Sequence, residues 1–198
     1  MADARISSVL LFAFLLTAVS ADNGVVQNST VDVVKFVEEN RKVWVYRTTE
    51  PGNVTCRLDT YTNVTATEAL IFRSFLNGTR IEKNLKAKFA VLKDELPHEE
   101  GPPFNAMEIN DLEIQREYTL IEEVFEFQSD AGKCAVVMVL DNTSGFTATW
   151  LDLRVSDTSV GTGPTKECTD EFEKILSYYV TKPESRTSYS NECKRNSS

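Results

Sequence analysis

The sequence predicts an all-β chain with flanking helices: an eight-stranded antiparallel up-and-down barrel followed by a C-terminal α-helix. Three observations predict it. Eight β-rich stretches follow one another between Lys42 and Val155, most of them parted by short turn signals. The clearest, Arg80 to Leu92, sets Ile81, Leu85, Ala87, Phe89 and Val91 on one face and Glu82, Asn84, Lys86 and Lys88 on the other, the two-residue period of a half-buried strand. After Glu167 the period changes, with Phe172, Ile175, Leu176 and Tyr179 at the i, i+3, i+4, i+7 spacing of an amphipathic helix. An eight-stranded sandwich is the competing architecture. Sequential hairpins favour closure, which removes exposed sheet edges and encloses room for one small ligand.

Taken in order, Val33, Phe36 and Val37 predict a short first helix capped by Ser29 or Thr30. The β-branched and aromatic run Lys42 to Thr48 is strand one, closed by Glu50-Pro51-Gly52. Strand two spans Val54 to Thr62 and carries Cys56; strand three spans Glu68 to Leu76 and ends at the turn pair Asn77-Gly78. Strand four is Arg80 to Leu92, followed by a loop from Asp94 to Pro103 that holds His98. Asn105 to Asp111 is strand five. Tyr118 to Gln128 is strand six, with Thr119, Ile121, Glu123, Phe125 and Phe127 on one face. Strand seven is the uncharged run from Cys134 to Leu140, ended by Asp141-Asn142. Both of its faces are apolar, with Cys134, Val136, Met138 and Leu140 on one and Ala135, Val137 and Val139 on the other. Phe146 to Val155 is strand eight. The helix from about Glu167 to Val180 has Asp170 and Glu171 in its first turn, and Pro183 stops it.

Residues 1–21 carry Arg5, the apolar run Val9 to Leu16 and the ending Val19-Ser20-Ala21, which is read as a secretory signal peptide cleaved after Ala21. The remaining residues 22–198 are one domain's worth of chain. No apolar segment reaches the roughly 20 residues of a membrane span, so a secreted, extracellular protein with no membrane anchor is expected. Four cysteines (Cys56, Cys134, Cys168, Cys193) suit two disulfides in an oxidising compartment, with three pairings open. Glycosylation sequons stand at Asn28, Asn53, Asn63, Asn77, Asn142 and Asn196. A net charge of −9 disfavours nucleic acid as a partner.

No enzyme chemistry, metal or cofactor is expected. A single histidine, His98, rules out a multi-histidine metal centre and is read as a solvated loop side chain. There is no Gly-x-Ser-x-Gly segment, and Gly161-Thr162-Gly163 lacks the rest of a phosphate loop. Glu122 and Glu126 fall on the outward face. Glu123 shares its face with Phe125 and Phe127, so either the register of the strand is a different one, or Glu123 has a cationic or hydroxyl partner, or it serves a ligand.

The leader, the short helix, the aromatic first strand ending in Glu50-Pro51, the Thr55-Cys56 strand, the Cys134 strand, Cys168 just before a helix and the late Cys193 together resemble the salivary lipocalins of ticks, including the histamine-binding group. The resemblance runs from about Val31 to Cys193, and departs from the usual lipocalin Gly-x-Trp signature at Trp44. It implies disulfides Cys56–Cys193 and Cys134–Cys168, the second packing the C-terminal helix on the barrel wall, so that the cysteine face of strand seven is expected outward under the helix and the smaller Ala135, Val137 and Val139 are expected to line a cavity. It further implies a monomer that binds a small hydrophobic ligand or host mediator. Amine binders of the family line the lumen with several carboxylates, because a buried ammonium needs paired charge. Here only Glu50 and Glu123 are expected inside, with Phe146, Ala148 and Trp150 on the last strand. The expected lining is Trp44, Tyr46, Glu50, Leu70, Phe72, Phe89, Met107, Glu123, Phe125, Val137 and Trp150. That lining favours a sterol, fatty acid or lipid mediator, as in the japanin-like subgroup, and a role in dampening host immunity. The alternatives are scavenging of histamine or serotonin, and contact with a host immune-cell protein through the exterior.

Overall fold

The structure, a computed structural model, describes residues 31–92, 101–114, 120–129 and 131–195. The leader, His98 and the sequons at Asn28 and Asn196 lie outside the described residues. All eight expected strands are present: β1 (Lys42–Thr48), β2 (Thr55–Thr62), β3 (Glu68–Asn77), β4 (Thr79–Ala90), β5 (Ala106–Asp111), β6 (Ile121–Gln128), β7 (Cys134–Asp141) and β8 (Ala148–Ser156). Each pairs antiparallel with the next, and β1 pairs with both β2 and β8, so the sheet closes on itself. Helix α1 (Val33–Glu39) precedes the barrel, and α2 (Lys166–Ser177) follows it. The chain ends with a two-residue strand β9 (Arg186–Thr187), laid on β1, and a short helix α3 (Asn191–Arg195).

Helix α1 is capped by Asp32, whose carboxylate accepts the Lys35 N–H at 3.1 Å, rather than by Ser29 or Thr30, which lie outside the described residues. Its buried face, Val33, Phe36 and Val37, plugs one end of the barrel. Phe36 meets Phe125 edge to face at 5.5 Å, and the Asp32 N–H donates to the Gln128 side chain. The β3–β4 turn falls on Gly78, whose φ of +73° is one that glycine reaches at little cost.

Two packed layers result from the alternation. Inside are Val43, Tyr61, Ala69, Ile71, Ala87, Phe89, Met107, Phe125, Val137 and Val139. Outside, under α2, Cys168, Phe172 and Leu176 pack against Val136, Leu151, Leu153 and Val155. The disulfides are Cys56–Cys193, which ties the tail to β2, and Cys134–Cys168, which pins α2 to β7.

Three register shifts interrupt the ladders: at Tyr46 in β1, around Cys56 and Arg57 in β2, and at Glu126 in β6. A bulge moves every later residue to the opposite face. The shift at Glu126 turns Phe127, expected inside, into the outer layer, and brings Gln128 round towards α1.

Candidate functional site

The interior is divided by a layer of buried charge. On β2 and β3, Asp59 and Arg73 stand opposite each other and form a two-pronged pair at 2.7 and 2.8 Å. Across the barrel, Glu123 on β6 accepts from Arg73 at 2.7 Å and from Arg154 on β8 at 2.6 Å. Arg154 also reaches Asp152 at 3.3 Å, and Asp152 accepts the Thr48 hydroxyl at 2.6 Å. Glu123 and Asp152 have no solvent exposure, and Arg154 has 1%. Burial by itself would push the Glu123 carboxyl up, but Arg154 and then Arg73 outweigh it and hold the group well below the usual carboxylate range. Beside the layer, burial first and the Asp59 charge second push the Tyr61 phenol far up, so it stays neutral.

On the side away from α1 the barrel holds a cavity of about 270 Å³. Phe75, Leu85, Leu120, Ile121 and Trp150 give it apolar walls, and Arg73 belongs to its floor. Two ion pairs stand in the lining: Arg57–Glu50 at 2.5 Å and Lys83–Asp111 at 2.9 Å. Asp111 is held below its ordinary range; burial opposes this, and the Lys83 ammonium and the Glu113 N–H outweigh it. Asp141 also lines the cavity; its carboxylate accepts the Thr143 N–H and meets no cation among the described residues.

The expected site residues divide into four groups. Glu50 and Trp150 line the cavity. Glu123 points inward as expected, but it is engaged by two arginines in the floor layer. Phe89, Met107, Phe125 and Val137 also point inward, yet they are packed solid with α1. Small residues at 135, 137 and 139 therefore leave no space of their own, because Phe36 and its neighbours fill it. Trp44, Tyr46, Leu70 and Phe72 are corrections. Trp44 lies in the outer layer, donating from Nε1 to Asp157 and meeting Tyr189 at 5.2 Å, and Tyr46 stacks on the same tyrosine. Leu70 and Phe72 are one residue out of phase: Ala69, Ile71 and Arg73 take the inner face, and Phe72 is 39% exposed. Phe146 is 72% exposed at the β7–β8 turn, not in the lumen.

The larger correction concerns charge. The inward faces carry not two carboxylates but six (Glu50, Asp59, Asp111, Glu123, Asp141, Asp152), against four cations (Arg57, Arg73, Lys83, Arg154) among the described residues. A readable signal existed. Asp152 and Arg154 continue the face of Ala148 and Trp150, Arg73 continues that of Ala69 and Ile71, and Lys83 lies in phase between Ile81 and Leu85.

No protein-family model matches the chain, and no curated protein matches it by sequence. Solved structures match its fold. AM182, determined as a serotonin complex, superposes with a TM-score of 0.57 at 15% identity, covering 82% of this chain and 92% of its own. The siderocalin Ex-FABP, described as working through dual ligand specificities, superposes with a TM-score of 0.53 at 10% identity over 78% of this chain and 95% of its own. The fold is that of the lipocalins, a closed eight-stranded barrel with a C-terminal helix on its wall.

Proposed function

We propose that the protein is a secreted, glycosylated carrier that holds a small amphipathic amine in the open half of the barrel, and that by sequestering this mediator it dampens a host's inflammatory or immune response. The observation that carries the reading is the lining of the cavity. Apolar walls face three carboxylates, Glu50, Asp111 and Asp141, beside Arg57, Arg73 and Lys83, and Asp141 meets no cation among the described residues. Size narrows the ligand further. At about 270 Å³ the cavity falls just short of the roughly 300–1,000 Å³ of pockets for drug-sized ligands. The other half of the lumen is filled, so a sterol or a long acyl chain, which the sequence favours, has no second half to occupy. Serotonin, the ligand of AM182, is of the class that fits. Secretion rests on the leader and the two disulfides.

Calorimetric titration of the glycosylated protein with serotonin, histamine and oleate tests the reading. One-to-one heat with an aromatic amine and none with oleate is expected. Oleate binding with silent amines would sink it.

A further inference from the structure

We propose that Arg57 is a built-in occupant of the cavity's cation site, so that an incoming ammonium must displace its guanidinium; this deepens the amine-carrier reading and rests on it. The guanidinium carbon lies 5.6 Å from the ring centre of Phe75 and 5.9 Å from that of Trp150. One nitrogen donates to Glu50 at 2.5 Å, and another approaches Asp152 at 3.8 Å. Two aromatic faces and two carboxylates around one point are the surroundings a desolvated cation requires. Here the chain's own side chain, 6% exposed, fills them.

Three further observations mark Arg57 as a displaceable occupant, unlike its neighbour Arg73. It is under-satisfied, with Nε buried and without a hydrogen-bond partner. Arg73, by contrast, donates from two nitrogens to Asp59 and also to Glu123. Arg57 sits in the bulge of β2, beside Cys56 at φ +52°, so it takes no part in the ladder pairing on either side. Its partner Glu50 lies in the loop after β1 rather than in a strand. Withdrawing the guanidinium would leave Glu50 for the ammonium and clear the face of Trp150, whose buried indole Nε1 has no acceptor to lose. An amine with a hydroxyl or other acceptor would meet that donor too.

The test pairs serotonin calorimetry with chemical rescue. Arg57→Ala is expected to bind serotonin roughly tenfold or more tightly than wild type, since the ligand no longer competes with an internal cation. Ethylguanidinium is expected to raise the melting temperature of Arg57→Ala and leave wild type unmoved. Lys83→Met removes the same charge elsewhere in the cavity, and is expected to tighten binding much less, separating occupancy from long-range attraction. Should Arg57→Ala not fold, Arg57→Lys keeps the charge but is too short and compact to stack on both rings, and a several-fold gain is expected. If wild type binds serotonin and the Arg57 variants bind it equally or more weakly, Arg57 is part of the site and the proposal is overturned while the carrier reading stands. If Arg57→Ala binds serotonin and ethylguanidinium while wild type binds no amine, the proposal holds and the carrier reading falls. If neither protein binds serotonin and ethylguanidinium does not rescue, both fall.

Discussion

The two halves of the barrel are made from the same strands, yet they solve opposite problems. At the closed end, Phe36, Phe89, Met107, Phe125 and Val137 have at most 3% exposure and pack as a continuous apolar mass under α1. At the open end, the same faces carry Glu50, Arg57, Lys83, Asp111, Asp141 and Trp150 around empty volume. Between them lies the Asp59–Arg73–Glu123–Arg154–Asp152 layer. Charge at this depth gives little net stability, because desolvation offsets most of the attraction. What the layer does provide is a fixed floor: it ties β2, β3, β6 and β8 together across the lumen and keeps water out of the packed half. In this lipocalin fold the packed core and the charged cavity are therefore separated along the barrel axis.

The largest effect is expected from breaking the floor. Glu123→Gln leaves Arg73 and Arg154 buried without their shared carboxylate, and should cost about 3–5 kcal/mol in denaturant unfolding. Acid should act through the same residue. The folded Glu123 carboxyl titrates below the unfolded one, near about 4.3, so its contribution is full above that pH and is lost as pH falls further. Wild type should lose stability steeply below about pH 4, and Glu123→Gln less steeply. A loss of under about 1 kcal/mol, or an unchanged acid slope, would show that the layer is not a unit.

Next in size is Phe36→Ala, which opens a cavity at the closed end and should cost about 3–5 kcal/mol. Its ligand heat should match wild type. An altered affinity would break the separation of the two halves. Removing Cys134–Cys168, which closes a loop of 34 residues, should cost about 3–4 kcal/mol on chain-entropy grounds, again with the site unchanged. The double Ser variant measured by thermal unfolding and calorimetry checks both.

How much of this contrast was legible in the sequence differs by half. The strands and the inward course of Phe89, Met107 and Phe125 follow from two-residue alternation, which is a local property, whereas β7 is apolar on both faces and is oriented by the disulfide from Cys134 to the helix. The charged half resisted reading for two physical reasons. Its pairs are long-range: Arg73 meets Asp59 14 residues away and Glu123 50 residues away, so neither partner announces that an arginine at position 73 can be buried. And β3 is apolar on both faces, Leu70 and Phe72 against Ala69 and Ile71, so the arginine pulled the reading into the wrong phase. Bulges at Tyr46, Cys56–Arg57 and Glu126 then reset the alternation where no residue type marks them.

The smallest stability effect, with a loss of binding beside it, is expected at Asp141. It is half-buried at the end of β7, and besides the Thr143 N–H it has no ionic partner among the described residues. Asp141→Asn keeps the shape and an acceptor for that N–H, so unfolding should change by less than about 0.5 kcal/mol. Amine affinity should fall by roughly tenfold, the loss of one charge-assisted hydrogen bond in a partly screened cavity. The loss should shrink at high salt, because a half-buried charge is screened where the floor layer is not. Equal amine binding in Asp141→Asn and wild type would remove Asp141 from the site and leave Glu50 as its carboxylate. Unchanged stability with weakened binding would confirm that the open half tolerates the loss of a charge that the closed half and its floor do not.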